Sequence, residues 1–226
     1  RFLSAVSAGG SVLDAGCGSG RDTKAFLDKG YRVTAFDASH ELVQLAKEHT
    51  GLDVQLRTFA DVKEHACYDG IWACASLLHV PQAELPAALA GLWNTLKPAG
   101  AFYLSFKLGT SERVQDGRHF TDVEEPQLRE WFAGLPDVDR VECWQSSDQR
   151  PGRTEQWLNA LVRRAVAPQN HLITGGSDPF LPHLSSSINQ ASEVDLAVAF
   201  VKTTGLRLLL PDLQSALLGD KESNRS

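Results

Sequence analysis

The chain has 226 residues, of which 42% are hydrophobic and 22% charged, with 18 Gly and 10 Pro. That composition excludes disorder, collagen-like repeats and coiled coil, and leaves a globular chain with apolar material for a sizeable core. The net charge of −6 is spread along the chain and lacks the basic footprint of bulk nucleic-acid binding. At about 150 residues per domain the length predicts one and a half domains.

From residue 11 to 106, short β-type runs alternate with helical periods, the signature of βαβ units around a parallel sheet. The first strand is predicted at 11–15 and a helix at 21–29, closed by Gly30. A strand at 31–36 and a helix at about 40–49, ending at Gly51, follow. Further strands are expected near 54–56 and at 68–74, then a helix started by Pro81 and running to about Leu96. Pro98-Ala99-Gly100 turns the chain into a strand at 101–106. Residues 107–120 read as a polar loop and 122–133 as a helix with an acidic start. Runs at 138–145 and 155–163 read as a long hairpin at the sheet edge, the layout of a doubly wound sheet with an antiparallel edge.

Residues 1–165 are thus expected to form one domain, 166–170 a linker and 171–226 a second, incomplete α/β segment. The second segment is predicted to have a strand at 171–173, a helix near 181–191, a strand at 194–200 and a helix at 206–218 interrupted by Pro211. A chain that starts at Arg1 and contains no Met reads as one lacking its native start. With no long apolar run, neither signal peptide nor membrane span is predicted, and the chain is expected in the cytoplasm. Cys17, Cys67, Cys74 and Cys143 have no C-x-x-C spacing and the seven histidines form no paired motif, so no metal site is expected.

The chemistry concentrates in Asp14-Ala15-Gly16-Cys17-Gly18-Ser19-Gly20-Arg21, which joins the first strand to the first helix. Glycines there let the backbone turn tightly and approach a ligand, and the free N–H groups of the next helix favour an anionic group such as a carboxylate. A dinucleotide loop needs G-x-G-x-x-G, whereas this one is G-x-G-x-G with Arg21 in the last place, which weakens an NAD-dependent reading. Asp14 would repel a pyrophosphate and suits a ligand with positive charge. Asp37 ends the second strand where it can accept from both hydroxyls of a ribose, and Asp61, after the third strand, can accept from an adenine amino group.

With these residues in register, the sequence resembles the class I S-adenosylmethionine-dependent methyltransferases over about residues 1–165. Asp14 to Gly20, Asp37, Asp61, the Tyr68-Asp69-Gly70-Ile71-Trp72 strand with Leu77-Leu78-His79-Val80, and Leu96-Lys97-Pro98-Ala99-Gly100 carry the resemblance. It implies a mostly parallel seven-stranded Rossmann-like sheet and S-adenosyl-L-methionine as cofactor. The implied contacts are Asp14, Ala15, Gly16, Cys17, Gly18, Gly20, Asp37, Ala38, Ala60 and Asp61. It also implies in-line displacement of the sulfonium methyl group onto a small-molecule acceptor. A non-catalytic module within a larger nucleic-acid-processing protein is the alternative.

On the acceptor side His79 is the candidate base, against a histidine merely packed at a helix start. Arg118, His119 and Arg153 are candidate substrate contacts, against solvated loops. Cys17 reads as a small side chain wedged under the loop.

Residues 171–218 resemble the opening of the phospholipase D-like domains found ahead of helicase modules. The H-x-K motif of that family is absent from the chain, so the segment reads as a truncated, inactive fragment whose apolar strand permits self-association.

Overall fold

The computed structural model describes residues 1–148, 150 and 152–166. The expected linker from residue 167 onward, the phospholipase D-like resemblance and the self-association reading lie outside the described residues.

The element order alternates as the sequence predicts. Strand β1 (Ser11–Ala15) leads into helix α1 (Arg21–Asp28), β2 (Arg32–Asp37) into α2 (His40–Thr50), and β3 (Gln55–Leu56) follows. Next come β4 (Tyr68–Ala73), α3 (Leu85–Thr95), β5 (Leu96–Lys107), β6 (Glu112–Gln115), β7 (Arg118–Thr121), α4 (Glu125–Ala133), β8 (Val138–Ser147) and β9 (Gln156–Arg164). Seven strands form one sheet in the order β3-β2-β1-β4-β5-β9-β8. The first five pair in parallel, and β9 and β8 add the antiparallel hairpin that the sequence places at the edge.

Helices cover both faces, so the central strands are mostly apolar: Val12, Leu13 and Ala15 of β1 are fully buried. On one face α3 and α4 bury Trp93 and Phe132, whose rings lie 6.0 Å apart, with Phe132 5.9 Å from Phe102 of β5. On the other, Phe2 and Phe26 close over Trp72, which stacks on Tyr103 at 3.9 Å. Among the described residues, no helix is long and apolar enough to cross a membrane.

Three sequence expectations are corrected. The predicted loop at 107–120 contains the two-stranded hairpin β6–β7, closed by Asp116 and Gly117 at φ 51° and 73°. Two consecutive positive φ values match the right-handed twist of paired strands, and Asp-Gly is the dipeptide that accepts them. The helix expected from Pro81 begins at Leu85, after a 3₁₀ turn at Gln82–Glu84, because Pro86 in its first turn has no N–H to pair. For the same reason Pro126 moves the start of the helix expected at 122 to Glu125. Val123, ahead of it, makes a bridge to Leu108.

The motif residues Asp69 and Lys97 meet at the amino-terminal edge of the sheet. The Lys97 ammonium lies 3.0 Å from the Asp69 carboxylate, which also accepts from the Ser11 hydroxyl and N–H at 2.7 Å. These contacts tie the starts of β1, β4 and β5 together, on the edge away from the glycine loop.

Candidate functional site

Strand order reverses at β1, which is flanked by β2 and β4, and the crevice at the carboxyl ends of these strands is where open α/β sheets take ligands. The glycine loop fills that crevice. The N–H groups of Gly16 and Cys17 both donate to the Phe36 carbonyl at 2.9 Å, which pins the loop to the end of β2. Gly16, Gly18 and Gly20 all have positive φ, at 78°, 57° and 82°. A Cβ on Gly16 would stand 2.4 Å from Ser76 Cβ, and one on Gly20 would stand 2.8 Å from Thr50 Cγ2, so both sites exclude side chains. A Cβ on Gly18 would meet nothing within 4 Å, and the backbone there is open to a ligand.

Gly16→Ala is accordingly expected to lower the melting temperature, by strain of about 1–3 kcal/mol, and to weaken ligand binding. Adding Ser76→Gly should relieve the steric part and not the φ part, at the cost of the Ser76–Ala15 hydrogen bond, so in thermal melts Gly16→Ala should destabilise less on the Ser76→Gly background than on the parent.

Asp37 holds the loop from the β2 side. Its Oδ2 accepts from Gly18 N and its Oδ1 from Ser39 N, both at 2.9 Å. The residue is half-buried and each carboxylate oxygen keeps a lone pair for a further donor. Ala38 beside it is exposed, and Ser39 caps α2 by accepting from Leu42 N.

Asp14 lies beneath the loop, 2% exposed, with Thr23 Oγ1 donating to its Oδ2 at 2.5 Å. Burial, reinforced by Asp22 and Asp37, lifts its carboxyl to about 7, against the hydrogen bond from Thr23. Such a group is poised to ionise when a cation arrives. Ala15, next in the chain, is pinned through its carbonyl, which accepts from Ser76 Oγ at 2.6 Å.

Cys17 is half-buried with its thiol on the Gly18 carbonyl at 3.6 Å. Burial first, then the charges of Asp14 and Asp37, raise it to about 12, so it is no nucleophile at neutral pH.

Ala60 and Asp61 sit in a 3₁₀ turn at Phe59–Asp61, both exposed. Asp61 Oδ2 accepts from the Thr58 N–H and hydroxyl at 2.8 and 2.7 Å, which holds its carboxyl below the usual range. That bond is half of a capping box, and Oδ1 has no partner among the described residues. Phe59 stands edge-on to Phe36 at 5.5 Å, and the Arg57 guanidinium lies over the Phe36 ring at 5.0 Å. Glu64, bound bidentately by Arg57 and lowered to about 2 by it, fixes that arrangement.

On the acceptor side the structure brings two candidates together. His79 ends a 3₁₀ turn at Leu77–His79 and its Nδ1 lies 2.8 Å from the His119 carbonyl. The His119 ring is engaged by Glu112, with Nε2 2.8 Å from Oε1. Arg118 is exposed, with no side-chain partner among the described residues. Arg153 pairs with Glu155 at 3.4 Å within the β8–β9 hairpin, and the same Glu155 oxygen meets Lys107. A separate cavity of about 290 Å³, lined by Gln82, Asp122, Glu124, Gln127 and Trp131 among others, has none of the glycine-loop residues in its walls.

Sequence reasoning missed Thr23, Ser76, Phe59 and Glu112. Ser76 and Phe59 carry no sequence signal, since their contacts cross the fold, whereas Thr23 meets Asp14 within one βα unit.

Residues 12–100 match a family model described as a methyltransferase domain. A ubiquinone biosynthesis O-methyltransferase of Xylella fastidiosa is 35% identical over 105 residues, covering 43% of this chain and 42% of that protein. The chain thus spans less than half the length of that relative. The crystal structure of the Burkholderia thailandensis 1,6-didemethyltoxoflavin-N1-methyltransferase, with bound 1,6-didemethyltoxoflavin and S-adenosylhomocysteine, matches at TM-score 0.57 and 27% identity. The match covers 69% of this chain and 71% of that one. A SAM-dependent methyltransferase from Methanosarcina mazei matches in fold at TM-score 0.61 and 15% identity, over 73% of this chain and 96% of that one. The fold is that of the class I methyltransferases, and residues 12–100 carry the domain's sequence pattern.

Proposed function

We propose that this methyltransferase domain binds S-adenosylmethionine at the carboxyl ends of β1, β2 and β3 and methylates a small-molecule acceptor. One observation carries the reading: the glycine loop, open at Gly18, is clamped by the Asp37 carboxylate, which retains acceptor capacity towards the same space.

The donor set fits the cofactor. Asp37 offers two carboxylate oxygens to a pair of vicinal hydroxyls, as the ribose has. The exposed 3₁₀ turn of Ala60 and Asp61, walled by Phe59, offers an apolar face and a free oxygen, suited to adenine and its amino group. Asp14, neutral in part at pH 7, lies under the loop to be ionised by a cationic amino acid moiety. The first N–H groups of α1, whose N-cap Gly20 has no side chain to satisfy them, face an anionic group such as a carboxylate. Once bound, S-adenosylmethionine would supply a methyl group already activated on a sulfonium. What remains for the chain is to hold the acceptor in line and exclude water, and effective molarity supplies much of that acceleration. His79, Arg118, His119 and Arg153 are the candidates for the acceptor side.

The relatives support a small-molecule acceptor: one is named for ubiquinone biosynthesis, and another was crystallised with 1,6-didemethyltoxoflavin. A reducing, cytoplasmic setting fits four free cysteines. The family match ends at Gly100 and lends nothing to the phospholipase D-like reading of residues 171–218.

Incubation of the protein with methyl-labelled S-adenosylmethionine and a fractionated cell extract tests the reading. Label is expected in the small-molecule fraction; label only in protein or nucleic acid would overturn the acceptor class.

A further inference from the structure

We infer that His79 is the base that takes the proton from a hydroxyl acceptor, held in the required tautomer by the β6–β7 hairpin. The inference rests on the methyl-transfer reading above.

Position comes first. Ser76, whose hydroxyl donates to the Ala15 carbonyl, touches the turn at Gly16, and the His79 N–H donates to the Ser76 carbonyl at 3.1 Å. A single 3₁₀ turn therefore separates the glycine loop from the His79 imidazole.

The tautomer follows from the partner. A carbonyl oxygen only accepts, so the 2.8 Å contact between Nδ1 and the His119 carbonyl is a hydrogen bond only when Nδ1 carries the proton. In the neutral ring Nε2 is then the unprotonated nitrogen, and it has no partner among the described residues, on an exposed side chain.

The carbonyl itself is fixed from several directions. His119 pairs with Val114 across the hairpin, and its ring sits on Glu112. The same Glu112 oxygen accepts from Gln82 N at 2.8 Å, just beyond His79 in the chain. Thr121 Oγ1 donates to the Val80 carbonyl at 2.9 Å, and Phe120 stands edge-on to the His79 ring at 4.9 Å. Glu112 and His119 are thus positioning residues.

The charged groups around this assembly are Glu112 and His119 on the hairpin, Lys107 and Arg113 at 5.3 and 5.4 Å from the Phe120 ring centroid, Glu155 paired to Lys107 and Asp122 paired to Arg113.

A fixed, unprotonated imidazole nitrogen serves one acceptor class above others. A neutral amine presents its lone pair without help and a thiol ionises near neutrality, whereas a hydroxyl must lose its proton as it reacts. In the step, the acceptor oxygen bonds to the methyl carbon and the carbon–sulfur electron pair stays on sulfur. The hydroxyl proton passes to Nε2 and then to water.

Nitrogen-15 NMR of histidine-labelled protein, with the His79 signals assigned by their loss in His79→Gln, tests the tautomer without any reaction. The expected spectrum shows protonated Nδ1 and unprotonated Nε2 at pH 8, with the second tautomer gaining population in Glu112→Ala. A dominant Nε2–H form, or no response to Glu112→Ala, overturns the inference. In the second arm, catechol and o-phenylenediamine are offered with labelled S-adenosylmethionine at pH 7. Catechol methylation is expected, falling about 10²–10⁴-fold in His79→Gln and recovering as rising pH ionises the catechol. Methylation of the diamine alone, of neither probe, or an unchanged rate in His79→Gln overturns it. Failure of the domain to bind S-adenosylhomocysteine would instead overturn the methyl-transfer reading, and the NMR arm would still judge the tautomer.

Discussion

Asp37→Ala is expected to weaken binding of S-adenosylmethionine and S-adenosylhomocysteine by about 10²–10⁴-fold. Hydrogen bonds to a charged group contribute about 1.5–3 kcal/mol each, and each 1.4 kcal/mol is a factor of ten. Two such bonds to a ribose therefore account for the range. The side chain also holds the site in shape, since it accepts from Gly18 N in the loop and from Ser39 N at the cap of α2. Its loss releases both, so a fall in melting temperature is expected as well. Asp37→Asn grades the effect: the amide keeps one acceptor oxygen but sets an NH2 donor against the N–H of Gly18 or Ser39. Both its melting temperature and its affinity should fall between those of the parent and the alanine variant, as thermal melts and isothermal titration calorimetry would show.

Asp14→Asn is expected to stabilise the protein at pH 8 while weakening cofactor binding. The folded carboxyl titrates near 7 rather than at its ordinary 3.8, chiefly because burial disfavours its charge. A raised pKa means that the folded state holds the proton more tightly than the unfolded chain. The stability this lends is complete below about 3.8 and is lost as pH rises to about 7. About three units at 1.36 kcal/mol each sets an upper bound of about 4 kcal/mol on the loss. Asparagine does not ionise and can still accept from Thr23, so the pH 4–7 decline should flatten in denaturant titrations of the variant. Glu64 and the other carboxyls held low titrate below this window and work in the opposite direction. Binding should show the mirror image. A cationic ligand favours ionised Asp14, so the affinity of the parent should climb from pH 6 to 8 and that of Asp14→Asn should not. A parent protein whose stability is flat between pH 4 and 7 would show that Asp14 is not buried as described.

Both residues were legible in the sequence because their position depends on local order. A carboxylate closing β1 ahead of three spaced glycines, and another closing β2, need only the βα alternation to be placed at one sheet edge. Asp61 was legible as a candidate, while its use of Oδ2 to cap its own turn was written in Thr58-Phe59-Ala60-Asp61, the spacing of a capping box. The β6–β7 hairpin went unread for a physical reason. Glu112–Gln115 and Arg118–Thr121 are mostly polar, so they give no period-two apolar signal, although Asp116-Gly117 between them is the strongest two-residue hairpin cue. Likewise Pro86 and Pro126 marked the true helix starts, and Pro81 marked only the turn before one. What no local pattern carries is the meeting of His79 with the His119 carbonyl across 40 residues, or of Ser76 with the glycine loop across 61 from Ala15. Those contacts exist only once the sheet has assembled.

The crevice around Gly18 and Asp37 is expected to bind S-adenosylmethionine. Calorimetric titration of the protein with S-adenosylhomocysteine, alongside NAD, tests it most directly. The expected result is saturable one-to-one binding of S-adenosylhomocysteine, loss of that binding in Asp37→Ala, and no heat with NAD. At a hundredfold excess over Kd the ligand should also stabilise the fold by about 2.7 kcal/mol. No heat and no thermal shift with S-adenosylhomocysteine, or binding that persists unchanged in Asp37→Ala, would contradict it.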